Sequence, residues 1–508
     1  MEKKNGEKIS QRVDWTLLLV PLLLILVLCF CFARWPGRSM DITDLVRGWI
    51  GDKLGFCYIL LGCACVAATM YMAFSRYGNI LLGDTAKPEY GNFQWGSMIF
   101  TATMGADILF YSCIEWALYG VEPYVQQKSD SYIWALTYPL LHWGPTVWSF
   151  YIVLAVSFGF MIHVRHRTRQ KFSEACRPVL GKQVDGAVGK LMDLLCVFAI
   201  IGGAATFLSV STPLTAGAIA KVFGFHGGTL LTMIVLILIA VLYTVPVLRG
   251  MKSISHVATF CTYMFLALIA WVFLAGGEAR FIIETGIQSL GNLFQNFIHL
   301  NTYMDPMREN GFPQTWTIFY WAYWLVWAVA TPFFIGMISK GRTVKNVVLG
   351  GYAWALAGTF MSFVVLEGYA SAQQLRHGLD ITGEVAAGTA LHEVILRIFD
   401  TLPLPAIGLI FLAVSMMYFY STTLDAAALV VASYSYKRLE EGELPDKRVR
   451  AWWAFLLILL PMVLINSNNS ITSLQSVTII TALPMVLIVS LIVISFFKDA
   501  GHYLDAEK

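Results

Sequence analysis

The sequence predicts an all-α integral membrane protein with about 12 transmembrane helices. Three observations carry this. Of 508 residues, 57% are hydrophobic and only 13% charged, against about 25% charged in a soluble domain. Apolar runs of the roughly 20 residues needed to cross a bilayer recur along the whole chain. The loops between them carry Lys and Arg on alternate sides, the pattern that marks cytoplasmic segments. No alternation of apolar and polar positions at about ten residues is visible, which argues against a membrane β-barrel.

The first run, Trp15 to Ala33, follows the basic segment MEKKNGEKISQRVDW. It is too long for a signal-peptide core and lacks a small-residue cleavage site, so it is a span that stays. Further spans are predicted at 52–76, 93–120, 133–163, 187–212, 228–247 and 254–275. Residues 277–303 (GEARFIIETGIQSLGNLFQNFIHLNTY) place apolar residues at helical spacing among polar ones and read as a helix lying in the interface. Spans follow at 314–338, 346–370, 402–436, 452–467 and 475–497, and residues 383–399 form a weaker amphipathic segment. The tail after the last span is too short to fold alone.

The 164–190 loop holds Arg165, Arg167, Arg169, Lys171, Arg177 and Lys182; Lys340, Arg342 and Lys345 and then Lys437, Arg438, Lys447, Arg448 and Arg450 follow in two later loops. Segments 121–132 and 371–400, with Glu122, Asp130, Asp380, Glu384 and Glu393, fall on the other side. Both termini are therefore expected in the cytoplasm. The net charge of +3 says little by itself. No basic cluster interleaved with aromatics marks a nucleic-acid partner. The nine cysteines sit mostly in apolar runs without metal spacing and read as small buried hydrophobes. No G-x-S-x-G, H-E-x-x-H or G-x-x-x-x-G-K-[ST] is present, so neither an enzyme nor ATP-driven movement by this chain is expected. No cofactor is expected beyond a coupling ion, Na+ or H+.

Ionisable groups inside spans are expensive and mark candidate sites. Asp107 lies in TATMGADILFYSCIEW beside Gly105 and other small residues, which suggests an open or unwound backbone. A carboxylate there could balance a substrate cation, help ligate sodium or carry a proton; pairing with a neighbouring helix is the plain alternative. Asp425 follows Thr422 and Thr423 in YFYSTTLDAAALVV. Two adjacent hydroxyls can supply oxygen ligands to a hard cation, although such hydroxyls often bond their own helix. Glu115 reads as a structural ion pair, His142 as hydrogen-bonded structure, and Trp143 and Trp148 as interface anchors. In WTIFYWAYWLVWAVATPFFIGMISKGR, residues Tyr320, Tyr323, Trp324 and Trp327 fall on one helical face. That face could enclose a cation through its ring faces or simply pack.

The stretch MDPMRENGFPQTWTIFYWAYWLVWAVATPFFIGMISKGRTVKN, with KPEYGNFQWGSMIF, LFYSCIEW and HWGPTVW, closely resembles the betaine/choline/carnitine transporter family. Its nearest motifs are those of the carnitine/γ-butyrobetaine antiporter and the glycine betaine transporters. The resemblance implies a leucine-transporter-type core of two inverted five-helix repeats with two extra N-terminal helices. It divides the chain into 1–90 (N-terminus and two peripheral helices), 91–276 (first repeat), 277–313 (interfacial helix), 314–497 (second repeat) and 498–508 (tail). It implies a homotrimer in the cytoplasmic membrane that moves glycine betaine, carnitine, γ-butyrobetaine or choline by ion-coupled alternating access, with ion-independent substrate/product exchange as the alternative.

Residue by residue, the family's tryptophan box matches Tyr323, Trp324 and Trp327, with Tyr323 departing from the usual Trp. Trp143 and Tyr119 match aromatics near the substrate of the carnitine antiporter, and Trp148 matches one at a second site on the way in. Asp107 stands where sodium-coupled members have a glycine and proton-coupled choline members an acid. Thr422 and Thr423 match the hydroxyl pair of a sodium site. The methionine and arginine that replace sodium in the carnitine antiporter match Thr331 and Ala258.

Overall fold

Lipid offers no hydrogen-bond partners, so each spanning segment must satisfy its backbone within a helix. The computed structural model describes residues 12–167, 169–249, 251–439, 443–466 and 471–506 and follows that rule throughout. Only two isolated β-bridges, Val13–Tyr436 and Leu81–Thr343, occur among the described residues. The helices are Trp15–Arg34, Pro36–Phe74, the bent pair Asn92–Met104 and Asp107–Gly120, the pair Ser131–His142 and Pro145–His163, Ala187–Phe223, Thr229–Arg249, Met251–Ala275, the bent pair Pro313–Trp327 and Thr331–Met337, Val344–His377, Pro405–Tyr434, Lys447–Asn466 and Ile471–Ala506; among the described residues nine are long and apolar enough to cross a membrane, eleven if each bent pair is one span, and Thr229–Tyr243 is a shorter apolar helix. The helices and pairs are counted below from the first to the twelfth in that order.

Several boundaries differ from the expected ones. The second helix begins at Pro36 rather than near 52. Arg38, Asp41, Asp44 and Arg47 depress the hydropathy of its first turns, but a helix beyond the lipid does not need apolar side chains. The fourth span breaks at Trp143–Gly144, with Pro145 opening the next helix, a position where its missing N–H costs nothing. The expected free tail is helical through Ala506. Asp499 on that helix accepts from Arg165 at 2.6 Å and Arg167 at 2.7 Å, tying it to the 164–190 loop. The basic segment 1–11 and residues 507–508 lie outside the described residues.

The amphipathic 277–303 segment forms the helix Ala279–Thr302. It buries Ile282, Leu293 and Leu300 on one side and leaves Ile287, Phe294 and Ile298 exposed on the other. The 383–399 segment divides into Ile381–Ala386 and Leu391–Asp400. The first span exposes Leu23, Leu26 and Phe30, which places it at the periphery. All nine cysteines are free, and Cys65, Cys113, Cys176, Cys196 and Cys261 are buried. The interior lies where the third, fourth, fifth, eighth, ninth and tenth spans meet.

Candidate functional site

The third span turns by 62° between residues 103 and 107. Gly105 makes the turn, with φ +35° and ψ −146°. A Cβ there would sit 2.7 Å from the Thr423 hydroxyl and 2.8 Å from the Phe207 ring, so the position needs glycine for space as well as conformation. The break leaves Asp107 in the first turn of the second half-helix, Asp107–Gly120, where the helix dipole favours negative charge. Asp107 is buried, and its carboxylate accepts the Ser211 and Tyr323 hydroxyls. No Lys, Arg or His pairs with it among the described residues. A small cavity beside it is lined by Thr103, Asp107, Phe207, Tyr323, Trp327 and Thr423, and Phe207 meets Trp327 edge-on at 5.4 Å.

The eighth span bends by 48° between Trp327 and Thr331. Residues 318–327 are buried on every side, so no single face defines the site. The four aromatics expected to act together go to three settings, with Tyr323 and Trp327 sharing the Asp107 cavity. Tyr320 stacks on His142 at 4.8 Å. Tyr323 lies on Phe319 at 5.5 Å with its hydroxyl on Asp107. Trp327 faces Phe207. Trp324 enters a cluster from the fourth span, with ring centres 5.7 Å from Trp143, 5.1 Å from Trp148 and 5.1 Å from Tyr151. The Trp148 and Trp324 indole N–H groups and the Tyr151 hydroxyl have no partner there. Trp143 and Trp148 are fully buried rather than interface anchors, because the break at Gly144 turns them inward.

Thr422 donates to the carbonyls of Thr101 at 2.9 Å and Phe419 at 3.0 Å, and Thr423 reaches the Thr101 carbonyl at 3.3 Å. The pair therefore faces the last turn before the break, but on two sides: Thr423 lines the Asp107 cavity, while Thr422 lines a second one with Thr101, Ala258 and Asp425. Asp425 is bound to the buried Arg450 at 3.0 Å. Thr331 spends its hydroxyl on the Ala102 carbonyl at 3.1 Å. Among the described residues no group of three or more His, Cys, Asp or Glu could hold a metal; each cavity offers one carboxylate beside threonine hydroxyls, Asp425 in one and Asp107 in the other.

Tyr119 lies apart from both cavities, in a network about Glu115. Tyr119 and Trp143 donate to Glu115, the latter at 2.7 Å. Among the described residues Glu115 is thus held mainly by hydrogen bonds rather than by a Lys or Arg ion pair, and the one basic group that could make the ion pair expected from sequence is His142, at 3.8 Å. Phe207, Ser211 and Tyr151 carry no signal in the sequence. Each is an ordinary residue of a spanning helix, and only the packing of another helix against it gives it a place.

With this geometry in view, the model of the betaine/carnitine/choline family of transporters matches residues 16–504. A carnitine transporter of Acinetobacter baumannii is 26% identical over 488 residues, 94% of this chain and 87% of its own length. The uncharacterized transporter YeaV of Escherichia coli K12 is 27% identical over 445 residues, 84% of this chain and 89% of its own. A solved Na+-coupled sialic acid symporter aligns over 84% of this chain and 80% of its own at 12% identity, with a TM-score of 0.41, too low to bear on the site.

Proposed function

The chain belongs to the betaine/carnitine/choline transporter family and is a multi-pass membrane transporter, not an enzyme; on that premise we propose that it takes up a quaternary ammonium compound coupled to an ion. The observation that carries the substrate class is the cluster of Trp143, Trp148, Tyr151 and Trp324. Four rings from two spans can enclose a trimethylammonium group, which has no hydrogen to donate and is held by ring faces. The three unpartnered donors in the cluster suit an oxygen of the same substrate, the hydroxyl of choline or the carboxylate of glycine betaine, carnitine or γ-butyrobetaine. Such donors are costly when buried alone, so substrate entry would relieve them.

Asp107 is the proposed coupling group. It sits at the break of the third span, one side of it open to the cavity bearing Tyr323 and Trp327. Hydroxyl donors and not cations hold it, so its charge is free to be balanced by a proton or by the passing substrate. Breaks in the third and eighth spans fall at the start of each proposed five-helix half, 91–276 and 314–497, and supply hinges for alternating access. A second reading, sodium at Thr422 and Thr423, is favoured by their convergence on the Thr101 carbonyl. A homotrimer with both termini in the cytoplasm completes the proposal.

The test is uptake of labelled choline, glycine betaine and carnitine into proteoliposomes, with sodium and pH varied independently. Proton coupling predicts that Asp107→Asn loses the pH dependence. Sodium coupling predicts that Thr422→Ala with Thr423→Ala loses the sodium dependence. Uptake indifferent to both ions and stimulated by internal substrate would replace coupling with exchange.

A further inference from the structure

Outside the Asp107 cavity, on the side of the 121–132 segment, lie two more buried carboxyls. Glu115 on the third span is 0% exposed and Glu367 on the ninth is 2% exposed. The two helices pack against each other and are joined nearby by a hydrogen bond of 3.1 Å between Ser112 and Ser362. Neither has a Lys or Arg partner among the described residues. Two carboxylates without a cation, away from water, cannot both stay charged at tolerable cost.

The hydrogen bonds decide between them. Glu115 accepts on both oxygens, from the Tyr119 hydroxyl and the Trp143 indole N–H. Because the Tyr119 hydroxyl donates its hydrogen to Glu115, it must accept from His142 Nδ1, 2.6 Å away. His142 Nε2 then accepts from the Thr317 hydroxyl at 3.1 Å. The network assigns His142 as neutral, with its proton on Nδ1. The chain Thr317, His142, Tyr119, Glu115 runs in one direction and ends on an acceptor. Glu367, by contrast, has one carboxyl oxygen with no partner at all. The charged form is supported at Glu115 and unsupported at Glu367.

We propose that Glu367 is a second proton-holding carboxyl, separate from Asp107, on the helix that packs against the one bearing Glu115. Binding adds one proton to a carboxyl oxygen, release returns it, and no other bond changes. The other titratable groups packed on the Glu115 network are Tyr111 of the third span, against Trp143 and Tyr320, Tyr138 of the fourth, against Tyr119, and Tyr320 of the eighth, against His142. Charges on the outer elements are already engaged: Arg397 with Glu384 at 2.6 Å and Glu393 at 3.7 Å, and Glu278 with Arg376 at 2.6 Å and His377 at 2.7 Å. His392 stands next to Glu393. The inference rests on the transport reading for its purpose, but not for its detection.

Infrared difference spectra of the purified full chain across a pH step read protonated carboxyls directly, without transport. The expected result is a protonated-carboxyl band that disappears in Glu367→Gln, shifts in Glu115→Gln and survives in Asp107→Asn. Glu367→Asp should keep a shifted band, which guards against a variant that merely misfolds. In proteoliposomes, Glu367→Gln should displace the pH profile of uptake, and Glu367→Asp should restore it. A spectrum in which Glu367→Gln and Glu367→Asp both leave every carboxyl band unchanged would overturn the assignment, whatever Asp107→Asn does.

Discussion

Replacing Trp324 by Leu is the sharpest probe of the aromatic cluster. The ring touches three others, at 5.7, 5.1 and 5.1 Å, and is fully buried. A desolvated cation–π contact is worth about 2 kcal/mol. At about 1.4 kcal/mol per tenfold, losing it should raise the half-saturation concentration for choline or glycine betaine about 30-fold. The same change deletes three ring pairs worth about 0.5–1.5 kcal/mol each, so stability falls as well. Trp324→Phe separates the two effects, because it keeps a ring face for the cation while still shrinking the cluster. The assay is initial uptake in proteoliposomes, scaled to monodisperse protein, with an uncharged tert-butyl alcohol analogue of choline as competitor. Wild type should discriminate strongly for the charged compound, Trp324→Phe should retain most of that preference, and Trp324→Leu should lose it. A well-folded Trp324→Leu protein with unchanged half-saturation and unchanged discrimination would refute the cage.

Three further outcomes follow from other sites. Gly105→Ala should abolish uptake while leaving the protein folded, since its Cβ would press within 2.8 Å of both Thr423 and Phe207 at the hinge; normal uptake would remove the hinge from the mechanism. Arg450→Met should destabilise the protein by about 3–5 kcal/mol by stranding Asp425, and Asp425→Leu in the same chain should recover most of the loss, as read by thermal melting in detergent. In the 303–312 loop, burial alone would push the Asp305 carboxyl up, but the backbone N–H groups of Gly311, Asn310 and Glu309 and the nearby Arg308 outweigh it and hold the group below its ordinary value. A lowered carboxyl stabilises the fold above its unfolded value of about 3.9 and loses that contribution as pH falls through the folded value. Amide exchange at residues 309–311 should therefore stay protected from neutral pH down to about 5 and open only in stronger acid; opening near pH 6 would contradict this.

Much of the architecture was written in the sequence. Spanning length and apolar composition are local properties, and lipid converts them into helices because the backbone has no alternative. The break at Gly105 was legible too, since small residues clustered around an intramembrane acid leave room for the backbone to open beside it. Asp107 stood out for a related reason: a charge inside a span is visible without its neighbours.

The site itself was decided by tertiary packing. On a helix such as 318–327, buried on every side, a shared face of the helical wheel does not say which residues share a neighbour. Trp324 joined Trp143, Trp148 and Tyr151, while Tyr323 turned its hydroxyl to Asp107. Tyr323 and Asp107, each singled out separately in the sequence, thus form one hydrogen-bonded pair. Sequence could mark each as unusual, but their contact spans 216 positions along the chain. Glu115 shows the same limit: its type and depth were readable, but whether it met an arginine or a ring of hydroxyl and indole donors depended on which helices closed around it. Local composition fixes what a membrane helix is; the partners that fill its buried faces come from distant segments and leave no periodic trace in its own residues.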